Sequence, residues 1–196
     1  MIEGKLFITG GTGTLGKAVI RRAYSEGWPC EITVFSRDPM KQIALKKEYP
    51  EVKFVIGDIK DYGALQLAML GHDVVLHLAA QKHIPTGEFN VMETINVNLI
   101  GSVNVAQACI ENMVKKCVGI STDKVVHAVN TYGATKYLME KVFQECAVTQ
   151  EITKFNLVRY GNVLGSTRRL SDVLQRGDSV KGDRESGHSN WQASLN

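Results

Sequence analysis

The sequence lacks the patterns that mark disulfide-rich, metal-binding or nucleic-acid-binding proteins. Its four cysteines form no CxxC pair and lie within apolar or helical patterns, which predicts reduced thiols in a cytoplasmic protein. Its five histidines form no HxH or HExxH pattern, so no metal site is predicted. No run of Lys and Arg exceeds two residues, and a net charge of +3 does not indicate nucleic-acid binding.

Long apolar runs are also missing. The longest uncharged stretch, residues 94–110, contains several asparagines with serine, glycine and glutamine, which predicts a soluble helix and no membrane span. A glycine-rich turn begins already at Gly10, which we expect to be too early for a signal peptide. With 196 residues, 44% hydrophobic and only four prolines, the chain is expected to form one globular domain with a buried core.

Short β-branched segments alternate with helical patterns along the chain, which is typical of βαβ units. The strands are apolar at successive positions, as expected where helices cover both faces of a sheet. The fold class predicted is therefore α/β, a Rossmann-type doubly wound parallel sheet. The predicted strands are residues 6–9, 32–36, 53–56, 74–78, 117–121 and 155–159, and the predicted helices are residues 15–27, 40–48, 62–70, 91–113 and 131–150.

A glycine motif follows the first predicted strand and leads directly into a helix. A side chain at Gly10 or Gly13 would hold the backbone away from a pyrophosphate, and Gly16 allows helix and strand to approach. The helix N-terminus favours negative charge. A glycine turn without a ligand is the alternative, but strand, turn and helix occur in the order that dinucleotide binding requires. The candidate cofactor-binding residues here are Gly10, Thr12, Gly13, Thr14, Leu15 and Gly16.

The second predicted strand ends in Ser36 and Arg37, where a carboxylate would bind the ribose of NAD. Arginine pairs with a 2′-phosphate in a fork geometry, so the cofactor predicted is NADP. The alternatives are that Asp38 neutralises Arg37 or that Arg37 is a plain surface charge. After the third strand, Asp58 and Ile59 are expected either to meet the adenine or to cap the next helix.

Tyr132 and Lys136 are separated by one helical turn, so their side chains project from the same helix face. A nearby ammonium stabilises a phenolate and lowers a pKa that is otherwise about 10. The pair follows a strand that ends in Ser121 and Thr122, in a chain that also carries the glycine turn. This combination predicts that Tyr132 acts as a base and that both residues contact the cofactor.

Several motifs together resemble the extended short-chain dehydrogenase/reductase superfamily. Within it, the chain is similar to the inverting UDP-N-acetylglucosamine 4,6-dehydratases and related polysaccharide-biosynthesis proteins. The discriminating feature is the pair Asp123 and Lys124, because 4-epimerases of the superfamily usually lack it and retaining dehydratases carry Asp-Glu. The motifs are residues 34–38 (VFSRD), 79–85 (AAQKHIP), 121–124 (STDK), 132–136 (YGATK) and 158–163 (VRYGNV).

The resemblance implies an order of proton and hydride transfers on a UDP-sugar substrate. Tyr132 would accept the 4-hydroxyl proton as the hydride leaves C4, giving a ketone that acidifies the C5 hydrogen. Lys124 would remove the C5 proton and Asp123 would protonate the departing 6-hydroxyl. This chemistry predicts that Asp123 is partly buried and that the pKa of Lys124 is lowered. The alternative is a Thr-Asp turn with a solvated lysine.

The resemblance also implies supporting roles for other residues. Thr122 would supply the catalytic hydroxyl beside Tyr132, and Ala79 and Ala80 would leave room for the cofactor. Lys82 and His83 would face the nicotinamide or the substrate. Three further positions are also assigned, and buried amides that satisfy the backbone are the alternative for the two asparagines. These are Asn98, expected to be structural, Asn162, expected to bind the substrate diphosphate, and His77, expected to be a hydrogen-bonded core histidine.

The sequence departs from the family after residue 166. Residues 167–196 contain only seven hydrophobic residues, where the family continues into a substrate lobe. We expect residues 1–166 to form an NADP-binding Rossmann domain with the catalytic residues, and residues 167–196 to be a polar tail that is a remnant or replacement of that lobe. Three interpretations remain: a dehydratase completed by a neighbouring subunit in a homo-oligomer, a truncated or frameshifted NADP-binding module without turnover, and a UDP-sugar 4-epimerase or C4 reductase.

Overall fold

The computed structural model describes residues 1–161. They contain a six-stranded sheet in the order β3-β2-β1-β4-β5-β6, and every pair of neighbouring strands is parallel. This order is typical of a doubly wound Rossmann fold, which confirms the predicted fold class. All six predicted strands are found, with ends shifted by no more than two residues. They are β1 (Gly4–Thr9), β2 (Cys30–Ser36), β3 (Lys53–Ile56), β4 (Val74–His77), β5 (Lys116–Thr122) and β6 (Lys154–Tyr160).

The predicted helices are also present. The helix predicted at residues 91–113 consists of α5 (Val91–Ile95), a π-helical turn (Asn96–Ile100) and α6 (Gly101–Glu111) in succession. The others are α1 (Thr14–Ser25), α2 (Pro39–Glu48), α3 (Tyr62–Met69) and α7 (Thr131–Thr149). Within residues 1–161, no helix combines the length and hydropathy needed to cross a membrane.

One short helix, α4 (Ile84–Phe89), was not predicted. Its sequence has no apolar repeat at helical spacing, and it contains both a proline and a glycine. The proline lies in the first turn, where its missing N–H costs no hydrogen bond. His83 caps the helix by accepting a hydrogen bond from the Thr86 backbone. Local capping therefore forms a helix that apolar periodicity alone does not reveal.

Helices cover both faces of the sheet and enclose a separate apolar cluster on each. One cluster packs α3, α6 and α7 against the sheet, and the other packs α1 and α2 against the opposite face. Phe7 and Ile8, which are adjacent on β1, lie in different clusters because successive strand residues point to opposite faces. This two-sided burial explains why the strands read as continuous apolar runs.

His77, at the end of β4, lies fully buried in the core. Its Nδ1 is 2.8 Å from Thr9 Oγ1, its Nε2 is 2.9 Å from Ser102 Oγ, and its ring stacks on Phe143. Burial lowers the pKa of His77 to about 3, and the nearby Lys136 charge acts in the same direction. The prediction of a hydrogen-bonded core histidine is confirmed.

We predict that His77 stays neutral in the folded protein down to pH 5. An unfolded histidine has a pKa of about 6.5, so the unfolded state binds more protons between that pH and the folded pKa. The free energy of unfolding therefore falls as the pH decreases below about 6.5, because only the unfolded histidine gains a proton there. The measurement is an NMR titration of the histidine ring signals, in which a midpoint near pH 6.5 for His77 would contradict the structure.

Candidate active site

The candidate residues within residues 1–161 lie at the carboxyl edge of the sheet or at the start of the adjoining helices. Turns that follow β1, β2, β3, β4 and β5 carry most of them, and α7 carries Tyr132 and Lys136. The order of the strands reverses between β1 and β4, where doubly wound sheets form a crevice for ligands. The fold therefore brings together groups that are far apart in the sequence.

The turn at Gly10 lies against the end of β4. Gly10 has a φ of +67°, and a Cβ there would lie 2.8 Å from both the backbone nitrogen and the Cα of Ala79. Its N–H donates a 2.9 Å hydrogen bond to the carbonyl of Phe35. No other residue type fits this position without displacing backbone, because the turn lies directly against Ala79.

The N-terminus of α1 is built to receive an anion. Gly13 is the N-cap residue, and no side chain within residues 1–161 caps this helix. The first backbone N–H groups, beginning at Thr14 and Leu15, are thus left for a ligand, and the helix dipole favours negative charge there. Gly16 packs directly against the backbone of Gly11, where a Cβ would collide. This cradle fits the diphosphate of a dinucleotide.

Arg37 follows β2 at the position where a ribose 2′-substituent would lie. Its guanidinium lies 3.5 Å from Asp58 Oδ2 and 3.6 Å from Glu93 Oε1. Asp38 instead caps α2 and pairs with Lys41 at 2.7 Å, so it does not neutralise Arg37. The two carboxylates near Arg37 come from other elements, and sequence reasoning did not identify Glu93.

Two amide side chains that the sequence analysis missed hold the loops around Arg37. The side-chain nitrogen of Gln42 donates to the backbone and hydroxyl oxygens of Ser36 and to the carbonyl of Val55. That of Asn104 donates to the carbonyl of Ile59 at 2.9 Å. No signal of these contacts is present in the sequence, because the partners of both amides lie on other elements of the fold.

The alternative that Asp58 caps the following helix is wrong. Asp61 caps α3 by accepting a 3.1 Å hydrogen bond from the Ala64 backbone. Asp58 accepts a hydrogen bond from Lys60 N and faces the Arg37 side chain instead. Its carboxylate and the buried Ile59 lie at the end of β3, where an adenine edge is expected.

The segment that follows Ala80 is anchored by Asn98. This buried amide accepts a 2.7 Å hydrogen bond from Gln81 N and donates to the carbonyl of Gln81 and to Thr135 Oγ1. The prediction of a structural asparagine is confirmed. Next along the chain, Lys82 and His83 are both exposed, and His83 Nδ1 is engaged with Thr86 at the start of α4.

Thr122, Asp123 and Lys124 form a connected group at the end of β5. The Thr122 hydroxyl donates to Asp123 Oδ1 at 3.0 Å, and Lys124 Nζ lies 3.0 Å from the same oxygen. The Lys124 ammonium lowers the pKa of Asp123, outweighing the opposite effect of partial burial. With 53% of its side chain exposed, Asp123 is too little buried for its pKa to rise, so the burial expected of an acid near neutral pH is not found.

Tyr132 and Lys136 lie in the first two turns of α7, whose N-terminus is capped by Asn130. Burial raises the pKa of Tyr132, and the Thr122 hydroxyl acts in the opposite direction. The predicted fall in the pKa of Tyr132 is therefore wrong for this arrangement. Burial lowers the pKa of Lys136 to about 7, against the opposing effect of Glu140. A lysine that is half deprotonated near neutrality stabilises a phenolate less.

A buried carboxylate next to Lys136 completes the site and was not predicted. Glu140 is one turn further along α7, with 2% of its side chain exposed. It receives two hydrogen bonds from Arg159 on β6, at 2.8 and 2.5 Å. Burial tends to raise the pKa of Glu140, but Arg159 and the Ser121 hydroxyl together lower it. Asn162, the predicted diphosphate ligand, lies outside the described residues.

Comparison with known proteins identifies the family. The polysaccharide biosynthesis protein family matches residues 6–171. The chain belongs to this family. It is 42% identical to the UDP-N-acetylglucosamine 4,6-dehydratase (inverting) of Campylobacter jejuni strain 81-176, over 85% of this chain and 51% of that protein. It is 44% identical to the UDP-glucose 4-epimerase of Rickettsia felis, over 84% of this chain and 50% of the epimerase. The chain thus spans about half the length of these curated relatives.

Solved structures support the same relationship. Pen from Bacillus thuringiensis is 34% identical to this chain, with a TM-score of 0.83. The match covers 89% of this chain and 55% of Pen. The UDP-glucose 4-epimerase from Brucella ovis, solved in complex with NAD, has a TM-score of 0.70 at 21% identity, over 81% of this chain and 52% of its own. The second similarity shows the fold alone.

We predict that replacing Glu140 with Gln lowers the free energy of unfolding by about 2 kcal/mol. The change removes the negative charge and one of the two oxygens that accept from Arg159, and the loss is smaller than for a fully buried pair because Arg159 is half-exposed. Glu145→Gln is the matched control, since Glu145 is exposed on the same helix and should change stability by less than about 0.5 kcal/mol. Urea unfolding measures both, and equal effects would contradict a structural role for Glu140.

Proposed function

We propose that this chain is a C5-inverting UDP-N-acetylglucosamine 4,6-dehydratase that uses NADP and supplies a 4-keto-6-deoxy sugar nucleotide for surface polysaccharide or glycan synthesis. The observation that carries the proposal is the connected group of Thr122, Asp123 and Lys124 at the end of β5. It precedes Tyr132 by one short helical segment, and the Thr122 hydroxyl and the Asp123 charge both act on Tyr132, so an acid, a base and a phenol lie close together. The similarity to the Campylobacter jejuni enzyme supports the same assignment.

The proposed cycle uses this chain's residues for proton movements. Held by the glycine turn at Gly10 and by Arg37, NADP would supply a hydride acceptor and donor that is regenerated in each cycle. Tyr132 takes the proton of the 4-hydroxyl as the ketone forms, assisted by the Thr122 hydroxyl. Lys124 then removes the C5 proton, and Asp123 gives a proton to the 6-hydroxyl, which leaves as water. C5 is finally reprotonated on the opposite face, which inverts its configuration.

In an ion pair, Asp123 lacks a proton and Lys124 holds one, whereas elimination needs a protonated Asp123 and a neutral Lys124. The acid must hold a proton and the base must lack one, so one proton has to pass across the 3.0 Å contact between Lys124 Nζ and Asp123 Oδ1. Exclusion of water by a bound sugar favours this transfer, because desolvation penalises both charges together. Substrate binding is thus proposed to generate the acid and the base.

We expect the protein to release one water from UDP-N-acetylglucosamine and to place deuterium at C5 when incubated with NADP in heavy water. Proton removal by Lys124 exposes C5 to solvent hydrogen, which the starting sugar never exchanges. Mass spectrometry detects the loss of water, and NMR locates the deuterium. An unchanged sugar with NADP bound would reject the dehydratase and favour a nucleotide-binding module.

The matched variant for this test is Lys124→Ala. It removes the proposed C5 base but leaves the glycine turn and α1 untouched, so NADP affinity should stay within about twofold while elimination stops. Retained C5 exchange would remove Lys124 from the mechanism. Fluorescence or calorimetric titration with NADP provides the binding control.

A UDP-sugar 4-epimerase is the second candidate. The 44% identity to the Rickettsia felis 4-epimerase favours it, since this value is close to that for the dehydratase. The same incubation separates the two, because an epimerase inverts C4 without releasing water and without introducing deuterium at C5.

We predict that Arg37→Asp reverses the cofactor preference from NADP to NAD. The guanidinium would pair with a 2′-phosphate, whereas a carboxylate would repel the phosphate and accept hydrogen bonds from a free ribose. NADP affinity should fall at least about tenfold and NAD affinity should rise. Titration of each cofactor measures the ratio, and an unaltered ratio would refute this role for Arg37.

A homo-oligomer is also part of the proposal. The helices of residues 91–111 and 131–149 leave large apolar side chains exposed, which fits a contact between copies. A cytoplasmic location fits four cysteines that are all free thiols. The exposed apolar side chains on these helices are Val91, Met92, Ile100, Tyr137, Leu138 and Val148.

A further inference from the structure

Four charged side chains meet beyond the carboxyl ends of β2 and β3. Arg37 faces Asp58 and Glu93 at 3.5 and 3.6 Å. Lys60 Nζ donates to both Glu93 oxygens, at 2.9 and 3.0 Å, and lies 3.6 Å from Asp58 Oδ2. We call Arg37, Asp58, Lys60 and Glu93 the ribose-end cluster, because it surrounds the proposed position of the cofactor ribose. Its two cations and two anions leave it with no net charge.

Glu93 reaches this cluster from a different part of the fold. Arg37, Asp58 and Lys60 follow neighbouring strands, whereas Glu93 belongs to α5, 33 residues after Lys60. Its two hydrogen bonds with Lys60 hold the carboxylate beside Arg37. Glu93 is therefore a fixed negative charge next to the group that would attract a 2′-phosphate.

We infer that Glu93 limits the discrimination between NADP and NAD. The inference rests on the proposed NADP site and identifies the residue that tunes it. A 2′-phosphate carries a charge of about −1.5 to −2 near neutral pH, and it would lie near two carboxylates as well as two cations. Glu93 thus offsets part of the attraction that Arg37 and Lys60 supply, whereas NAD has no charge at this position.

Glu93 acts on the 2′-phosphate through its charge. It does not orient the Arg37 side chain. Both Arg37 contacts are longer than a hydrogen bond, and within residues 1–161 no hydrogen bond joins Arg37 to either carboxylate. Loss of Glu93 should not release Arg37 from a fixed pose. It should leave Arg37 and Lys60 facing a single carboxylate, with both donors available to a phosphate.

The test is the affinity of Glu93→Gln for NADP and for NAD, measured by isothermal titration calorimetry at low salt. The dissociation constant for NADP should fall about three- to tenfold, and that for NAD should change by less than about twofold. Added salt should reduce the gain, because the cluster is partly exposed. Glu48→Gln, which neutralises an exposed carboxylate on α2, is the matched control and should leave both constants unchanged.

The outcomes separate this inference from the proposed function. If the wild-type protein does not prefer NADP, the proposed cofactor is wrong and the inference falls with it. If the wild-type protein prefers NADP but Glu93→Gln leaves the ratio unchanged, tightens both cofactors equally or weakens NADP, only the inference is overturned. Weaker NADP binding would mean that Glu93 orients Arg37 after all.

Discussion

The contact between the turn at Gly10 and the backbone at Ala79 constrains the whole carboxyl edge of the sheet. It joins the ends of β1 and β4, where the strand order reverses, and the hydrogen bond from Gly10 to Phe35 joins the same turn to β2. Three strand ends are thereby held at fixed distances around the N-terminus of α1. The cradle for a diphosphate, the basic group beyond β2 and the short side chains beyond β4 follow from that one backbone approach.

A second constraint lies on the other side of the crevice, where α7 packs on β5 and β6. Lys136 is buried, and its positive charge would be costly without a compensating group. Glu140 supplies a compensating negative charge one helical turn away. Arg159 hydrogen-bonds Glu140 through two nitrogens. The three residues link the position of the helix to the register of β6, in which Arg159 pairs with Ser121 of β5. The charge on Lys136 and the placement of the strand ends are therefore coupled.

The fold was predictable from sequence because two-sided burial leaves a direct mark, namely apolar runs that alternate with amphipathic segments. The glycine turn and the spacing of Tyr132 and Lys136 were predictable for a similar reason, since both are local. Contacts between distant elements were not. Glu93 and Glu140 look like ordinary helix carboxylates in the sequence, and only the packing of α5 and α7 gives them partners. Burial was equally hidden, which is why the expectations for the exposure of Asp123 and the pKa of Tyr132 were wrong.

Two lysines of the site, Lys124 and Lys136, each lie near a carboxylate, but they differ in depth. Lys136 and Glu140 are buried, so side chains of the fold itself surround them. Asp123 and Lys124 are more accessible, with 53% and 27% of their side chains exposed, so water reaches their contact. Because desolvation favours the neutral form of such a pair, a ligand that covers it would favour a neutral carboxylic acid and a neutral amine. Under the proposed function, an exposed pair would reach its acid and base forms only when a bound sugar excludes water.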